Sequence, residues 1–563
     1  KPEPMSLKML RPLTNFRSIL LGSFLHLAVV MPLFAQERSK MEQWHLLDED
    51  VDSLPGVSAH RILQGIGKNF KPFDVVVAVI DGGVDINHPD LVPVLWKNRG
   101  ENPDNGIDDD GNGYVDDLRG WSFISGRGGE VNQDTYEVTR EWVRLREMKK
   151  KGLVQQKDSL QKAYRKEVEF HYKTRLKEVK ANHKMGTKLQ MANANFHTQL
   201  VLAGGDSADI SALKVKGRWD KSVKRIYWMS NLSGTAVSDV YSELNSICSR
   251  LCDMYDYNLN PRFDPRGLVG DRYEDVKDRF YGDHRVTGPD ASHGTHVAGI
   301  IAAAHGDQRG MSGVAPNARI MSLRAVPNGD ERDKDVANAI RYAADMGAKV
   351  INMSFGKSFS PGESLVQEAI RYAASRDVLM VHAAGNDGLF VPDIPTYPRA
   401  PQIDDARFSF WIEVGAIGPN KDPINRIASF SNFGSPVVDV FAPGQDIYST
   451  LPDGKYGAQS GTSMAAPVVA GMAALLRGLY PKLSAPEIRD IIVSSVKPFP
   501  NGLVVPKADG TAAAIALSRK NTFGARKTAA AREVCVSGGV VNLERALKYA
   551  QERYPGQMAE YKR

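Results

Sequence analysis

Apolar residues recur along this chain at two periods, and the two periods predict different elements. The run Val75-Val76-Val77-Ala78-Val79-Ile80 is short, continuous and largely β-branched, and it ends on Asp81 and a glycine pair. A run of that kind predicts a strand covered on both faces. From Ala318 the pattern turns rhythmic. Strands are predicted over Ala318–Val326, Val350–Phe355 and Val378–Val381, with helices over Asp333–Met346 and Glu363–Ser375 between them. Strand and helix in alternation predict an α/β fold with a mostly parallel sheet flanked by helices. Two further helical runs are built from small residues, Val297–Ala304 and Val468–Leu476, and a last helix is expected near Gly539 to Ala550. A different pattern fills part of the chain between Asp81 and His293. There Leu160, Tyr164, Val168, Tyr172, Leu176 and Val179 recur at spacings of four and three, an amphipathic helical stripe in a highly charged background.

Polar residues with chemical potential sit at the ends of these elements. Ser463 lies in Gly461-Thr462-Ser463-Met464-Ala465-Ala466-Pro467, just before a helical run. A serine there faces unpaired backbone N–H groups and the positive end of a helix dipole, the groups that would stabilise an oxyanion. His293, in Ser292-His293-Gly294-Thr295-His296, also precedes a small-residue helix, and Asp81 ends a strand. Working groups in open α/β sheets gather at the carboxyl ends of strands. A serine hydroxyl needs a base, and the base needs an orienting group. The order Asp81, His293, Ser463 is one of the chain orders in which such triads occur.

These three blocks resemble those of the subtilases, the subtilisin-like serine proteases. Two further blocks agree: His382-Ala383-Ala384-Gly385-Asn386, and Phe430-Ser431-Asn432-Phe433-Gly434 followed by Val440-Phe441-Ala442-Pro443-Gly444. The resemblance implies a subtilisin-like sheet and a serine endopeptidase acting through an acyl-enzyme. It implies Ser463 as nucleophile, His293 as general base and then acid, and Asp81 as its orienter. Asn386 and the Ser463 backbone N–H would form the oxyanion hole. It also implies that Val350–Gly356 is a substrate-binding edge strand. Ser354, Phe355 and Gly356, with Ala383, Ala384 and Gly385, would then line the pocket for the residue before the scissile bond. None carries charge, which favours an apolar side chain there; the alternative is that Phe355 is core. His88, His296 and His382 are expected to be structural. One departure stands out. Where the family has serine or threonine after the aspartate, this chain has Gly82, so Asp81 is expected to lack a local donor.

His293 follows Asp81 by just over two hundred positions, where subtilases place it a few tens of residues on. A largely helical insertion is therefore expected over 121–288, between a start of the catalytic domain at 36–120 and its remainder at 289–551, with a tail at 552–563. It reads either as a helical hairpin packed on the domain or as a lid or exosite. A second, exposed insertion is expected at 498–532. Just before the first lies Asn105-Gly106-Ile107-Asp108-Asp109-Asp110-Gly111-Asn112-Gly113-Tyr114-Val115-Asp116-Asp117. Asp108, Asp110, Asn112 and Gly113 match the start of a calcium loop, in which Tyr114 would offer its carbonyl. Arg119 stands where the usual glutamate would, so Asp116 or Asp117 must replace it. The alternative is an acidic turn.

Composition narrows the remaining choices. Hydrophobic content of 42% and charged content of 25% are those of a globular protein. The formal charge of +6 does not argue for nucleic acid, since half of it comes from the first seventeen residues. There Lys8, Arg11 and Arg17 precede an apolar run from Ile19 to Phe34, which predicts a signal peptide over 1–35, cleaved after Ala35; the alternative is an uncleaved N-terminal anchor. A secreted or periplasmic location follows, with no stable membrane span after cleavage. Only about 40 residues separate Ala35 from Val75, too few for a folding prosegment domain. The three cysteines, Cys248, Cys252 and Cys535, cannot all pair within the chain. The expected partner is a protein or peptide substrate, and the oligomeric state is not readable. Two other classes stay open: a peptide-binding pseudoprotease, and a peptide ligase or cyclase on the same scaffold.

Overall fold

The computed structural model describes residues 40–65, 72–153, 159–232, 236–304, 311–402, 408–507 and 527–559. The signal segment and most of the 498–532 stretch lie outside the described residues. Within the described chain residues 169–260 form a compact unit of their own.

The larger unit is built on a nine-stranded sheet. Its strands are β1 (Val75–Asp81), β2 (Gly120–Ser122), β3 (Ala318–Arg324), β4 (Val350–Met353), β5 (Leu379–Ala383), β6 (Trp411–Ile417), β7 (Val440–Pro443), β8 (Lys497–Pro498) and β9 (Gly539–Val540). The spatial order is β8-β9-β7-β6-β5-β4-β1-β3-β2. Every pairing is parallel except β8 with β9. Because β1 is an interior strand covered on both faces, its alternate side chains enter two cores. Val75, Val77 and Val79 face the first, and Ala78 and Ile80 face the second.

Helices cover both faces. Helix α1 (Glu137–Lys150) and the long helix α2 (Ser159–Leu202) precede α3 (Arg218–Leu232) and α4 (Val237–Asp253). The sheet is then flanked by α5 (Ser292–Ala302), α6 (Asp333–Asp345), α7 (Glu363–Ser375), α8 (Thr462–Leu479), α9 (Ala485–Ser494) and α10 (Leu543–Arg553). Residues of α5 and α8 fill the first core, and those of α6 and α7 the second. Among the described residues α8 is the one helix long and apolar enough to cross a membrane, and 94% of it is buried inside the protein. It is a core helix.

One expectation changes and another holds except at one residue. Strand β4 is not an edge: β1 and β5 pair it on either side. Its register ends at Met353, and only Ser354–Gly356 runs on beyond the sheet. The amphipathic stripe lies on a single 44-residue helix, α2. Val168, Tyr172 and Val179 are buried, but Leu160 is 81% exposed. The smaller unit has its own core, formed by Leu189, Phe196, Leu200, Val223, Tyr227, Val240, Leu244 and Cys248. All three cysteines are free thiols.

Candidate active site

Each candidate group sits where an element starts or stops. Asp81 is the last residue of β1, and His293 and Ser463 are the second residues of α5 and α8. Asn386 lies in the loop after β5. Gly294 makes the first approach feasible. A Cβ there would stand 2.2 Å from the Gly83 carbonyl oxygen and 3.0 Å from Asp81 Cβ, so only glycine lets α5 begin against the end of β1.

His293 Nδ1 lies 2.9 Å from both carboxylate oxygens of Asp81. Asp81 is buried while the His293 side chain is 42% exposed, so one end of the imidazole is held and the other is open to a ligand. Burial alone would lower the His293 pKa; the Asp81 charge and hydrogen bond outweigh it and raise the value above 6.5. Asp290 adds to that effect. Asp81 does not lack a local donor: the Gly82 backbone N–H donates to Asp81 Oδ1 at 2.7 Å, although no side-chain hydroxyl stands at that position.

Ser463 is tied to Ser354 twice. Its hydroxyl donates to the Ser354 carbonyl at 3.1 Å, and the Ser354 hydroxyl donates to the Ser463 carbonyl at 2.9 Å. The second bond has a local cause. Pro467 stands four residues on inside α8 and has no N–H for that carbonyl, so Ser354 satisfies it instead. Asn352 in turn donates to the Ser354 hydroxyl.

The Asn386 side chain is oriented by a residue the sequence reading left without a role. The Thr462 N–H and hydroxyl both donate to Asn386 Oδ1, at 2.8 and 3.0 Å. The amide nitrogen is thereby turned toward Gly461, where a Cβ would lie 3.3 Å from Asn386 Nδ2 and 3.6 Å from the Ser463 nitrogen. The same Thr462 hydroxyl accepts from the Gly385 N–H. Asn432 fixes the loop from below, donating to the Ala384 carbonyl and accepting from the Asp387 and Leu389 N–H groups. Nothing local in the sequence marks these ties, although both residues fall inside the quoted blocks.

A cavity of about 250 Å³ opens beside the histidine, lined among others by Asp81, His293, Ser354, Asp290, Asn132 and Asn328. Of the six expected pocket residues it takes Ser354. Phe355 is partly buried against the second core, Ala383 and Ala384 are buried, and Gly356 and Gly385 lie outside the cavity lining. The other histidines are held structurally. His88 and His296 each place Nε2 3.1 Å from a backbone carbonyl, of Lys455 and Gly457. Burial pushes His296 down to about 4. His382 sits between the Glu413 carboxylate and the Phe355 carbonyl, at 2.9 and 2.8 Å.

The acidic loop divides into two groups. Asp108 accepts from the Asn112 and Gly113 N–H groups, and Asp116 from those of Asn105 and Gly106, so these two brace turns. Asn112 donates to Asp110 and Asp117, and Tyr114 packs against Trp121 and Tyr342. Asp110 and Asp117 instead meet Glu101, with ligand oxygens all within 4.8 Å of one another. Glu101 was not foreseen; it lies before the motif. Three carboxylates, two of them buried, form an all-oxygen donor set that suits a hard cation.

The subtilase family profile matches residues 73–525, and the chain belongs to that family. It is 45% identical over 186 residues to the thermophilic serine proteinase of Bacillus sp. (strain AK1), covering 33% of this chain and 42% of that one. Thermitase of Thermoactinomyces vulgaris is 45% identical over 185 residues, covering 33% of this chain and 60% of that protein. Subtilisin DY of Bacillus licheniformis is 38% identical over 205 residues, covering 36% and 69%. The chain thus spans less than two thirds of the length of the first two relatives. A solved structure of a protease from Pseudoalteromonas arctica matches at 30% identity and a TM-score of 0.35, over 47% of this chain and 73% of that one.

Proposed function

We propose that this protein is a secreted serine endopeptidase, directed outward by a cleaved segment at 1–35. The pairing of His293 with Asp81 on a cavity also lined by Ser354, the residue to which Ser463 is hydrogen-bonded, is the observation that carries the reading. In the proposed cycle the Ser463 hydroxyl turns from the Ser354 carbonyl to His293 Nε2, which takes its proton as Oγ attacks the peptide carbonyl carbon. Asp81 accepts the Nδ1–H and stabilises the imidazolium. The oxyanion is held by the Ser463 N–H and Asn386 Nδ2. Collapse breaks the C–N bond, with His293 returning the proton to the leaving amine. Water then deacylates Ser463 by the same base.

Residues 121–288 are read as an insertion into the catalytic domain. Calcium is proposed at Glu101, Asp110 and Asp117, where its charge would offset that of the buried carboxylates. Its role there is structural, and the cycle above uses only this chain's own groups. The test is labelling by a fluorophosphonate probe. Wild type is expected to label and Ser463→Ala not to. Folded wild type that fails to label would favour a peptide-binding protein instead.

A further inference from the structure

The ends of β3, β1 and β4 define a slot. In the sheet β1 lies between β3 and β4, but it stops at Asp81, opposite Arg324, with Ile80 opposite Met353. The neighbouring chains run on, as Ala325–Glu331 on one side and Ser354–Lys357 on the other. Beyond Asp81 a gap one strand wide is therefore left between them, and neighbouring strand positions lie about 4.8 Å apart. An extended peptide is the natural occupant of such a gap. On the peptidase reading above, the residue before the scissile bond sits at Ser354, next to Ser463. The residues upstream of it then run toward Lys357, three positions of about 3.3 Å each.

At Lys357 the slot is barred by that side chain from one wall and by Glu137 and Arg140 from α1, which together reach backbone carbonyls of the other wall. Lys357 Nζ crosses to the Glu331 carbonyl at 2.8 Å. The same ammonium pairs with Glu137 Oε2 and Asp333 Oδ1, each at 2.8 Å. Arg140 grips Glu137 from the other side at 2.8 Å and donates to the Asp330 and Glu331 carbonyls at 3.0 and 3.3 Å. The Lys357 side chain is only 2% exposed and that of Glu137 only 8%. Burial alone would raise the Glu137 carboxyl, but Arg140 and Lys357 bring it down to about 2. The Lys357 ammonium has three acceptors, and breaking the bar would strand buried charge. It also occupies backbone carbonyls of the β3 wall that a longer peptide would need.

We propose that Lys357, with Glu137 and Arg140 from the 121–288 segment, ends the upstream cleft, so that the enzyme reads three residues before the scissile bond and has no subsite for a fourth. The helical segment thereby acquires a function in specificity through its first helix, α1. The inference rests on the peptidase reading, and the experiment separates the two.

Acylated peptidyl aryl amides with one to five residues upstream of the scissile bond are compared by kcat/KM, with fluorophosphonate labelling in parallel. The value is expected to climb to three residues and then stay flat within about twofold. A real fourth pocket for an apolar side chain would add about tenfold or more, and such a rise in wild type overturns the inference while leaving the peptidase reading intact. No turnover at any length, with Ser463 unlabelled, overturns both. In Lys357→Ala the bar is removed, and an apolar fourth residue is expected to raise kcat/KM several-fold. A folded Lys357→Ala that stays flat argues against Lys357 as the stop. If that variant does not fold, the wild-type series decides alone.

Discussion

His293 carries the pH dependence of the proposed activity, because only its neutral form can accept the Ser463 proton. Asp81 raises its pKa above 6.5, so kcat/KM is expected to fall on the acid side with an apparent pKa above that value. Asp81→Asn should shift the limb down and lower kcat by about 10⁴-fold, since the tautomer is no longer held. The sign for stability follows from the same shift. A basic group raised in the folded state contributes fully below its unfolded value and loses that contribution as pH rises through the folded one. A pH–rate profile with its limb below 6.5 would contradict the role given to Asp81. At the other end of the site, Asn386→Leu is expected to cost about 10²–10³ in kcat with KM little changed, the magnitude known for such a donor in a subtilisin. Thr462→Val should cost less than that, because Thr462 positions the amide without touching substrate. Equal losses would make Thr462 a direct donor.

The bond between Ser354 and the Ser463 carbonyl exists because α8 contains a proline, which makes a prediction about the element. Ser354→Ala leaves that carbonyl without its partner and is expected to destabilise by about 1–2 kcal/mol in chemical denaturation. Pro467→Ala restores an N–H four residues along the helix. The double variant should therefore recover part of the loss, and strictly additive effects would show that the carbonyl never needed Ser354. Elements of this kind were legible in the sequence. Strand β1, helices α6 and α7 and the helical start at Ser463 follow from apolar periodicity and small-residue blocks, which act locally. The position of β4 was not legible as an edge or an interior strand, because a short apolar run looks alike in both. Nor were the ties through Thr462, Asn432 and Lys357. Each joins positions far apart, such as Glu137 and Lys357, separated by 220 residues, and no local period marks such a pairing.

At the scale of the whole molecule, the acidic loop is joined to the scaffold through a buried carboxylate. Asp117 is fully buried and accepts from the Tyr342 hydroxyl on α6 at 2.6 Å, from Asn98 at 2.6 Å and from Asn112 at 3.0 Å. Burial raises its pKa, and Asp110 raises it further, against the pull of those three donors. A raised acid disfavours folding once it ionises, so without a cation this loop should lose stability as pH rises from below 3.8 through the elevated value. A divalent cation between Asp117, Asp110 and Glu101 would reverse that sign by favouring the charged forms. Calcium at about a hundred times its dissociation constant would add about 2.7 kcal/mol, enough to raise Tm by several degrees. Chelation is therefore expected to lower the Tm of wild type measurably. Asp117→Asn removes the buried charge while keeping an acceptor for Tyr342, so it should melt alike with and without chelator. Identical melting of wild type in calcium and in chelator would leave the three carboxylates as a hydrogen-bonded turn and no more. The sequence pointed to this loop through its D-x-D-x-N-G spacing, yet it named Asp108 and Asp116, whose carboxylates cap turns. Glu101 joins Asp110 and Asp117 only because the loop folds back on itself, which spacing alone does not encode.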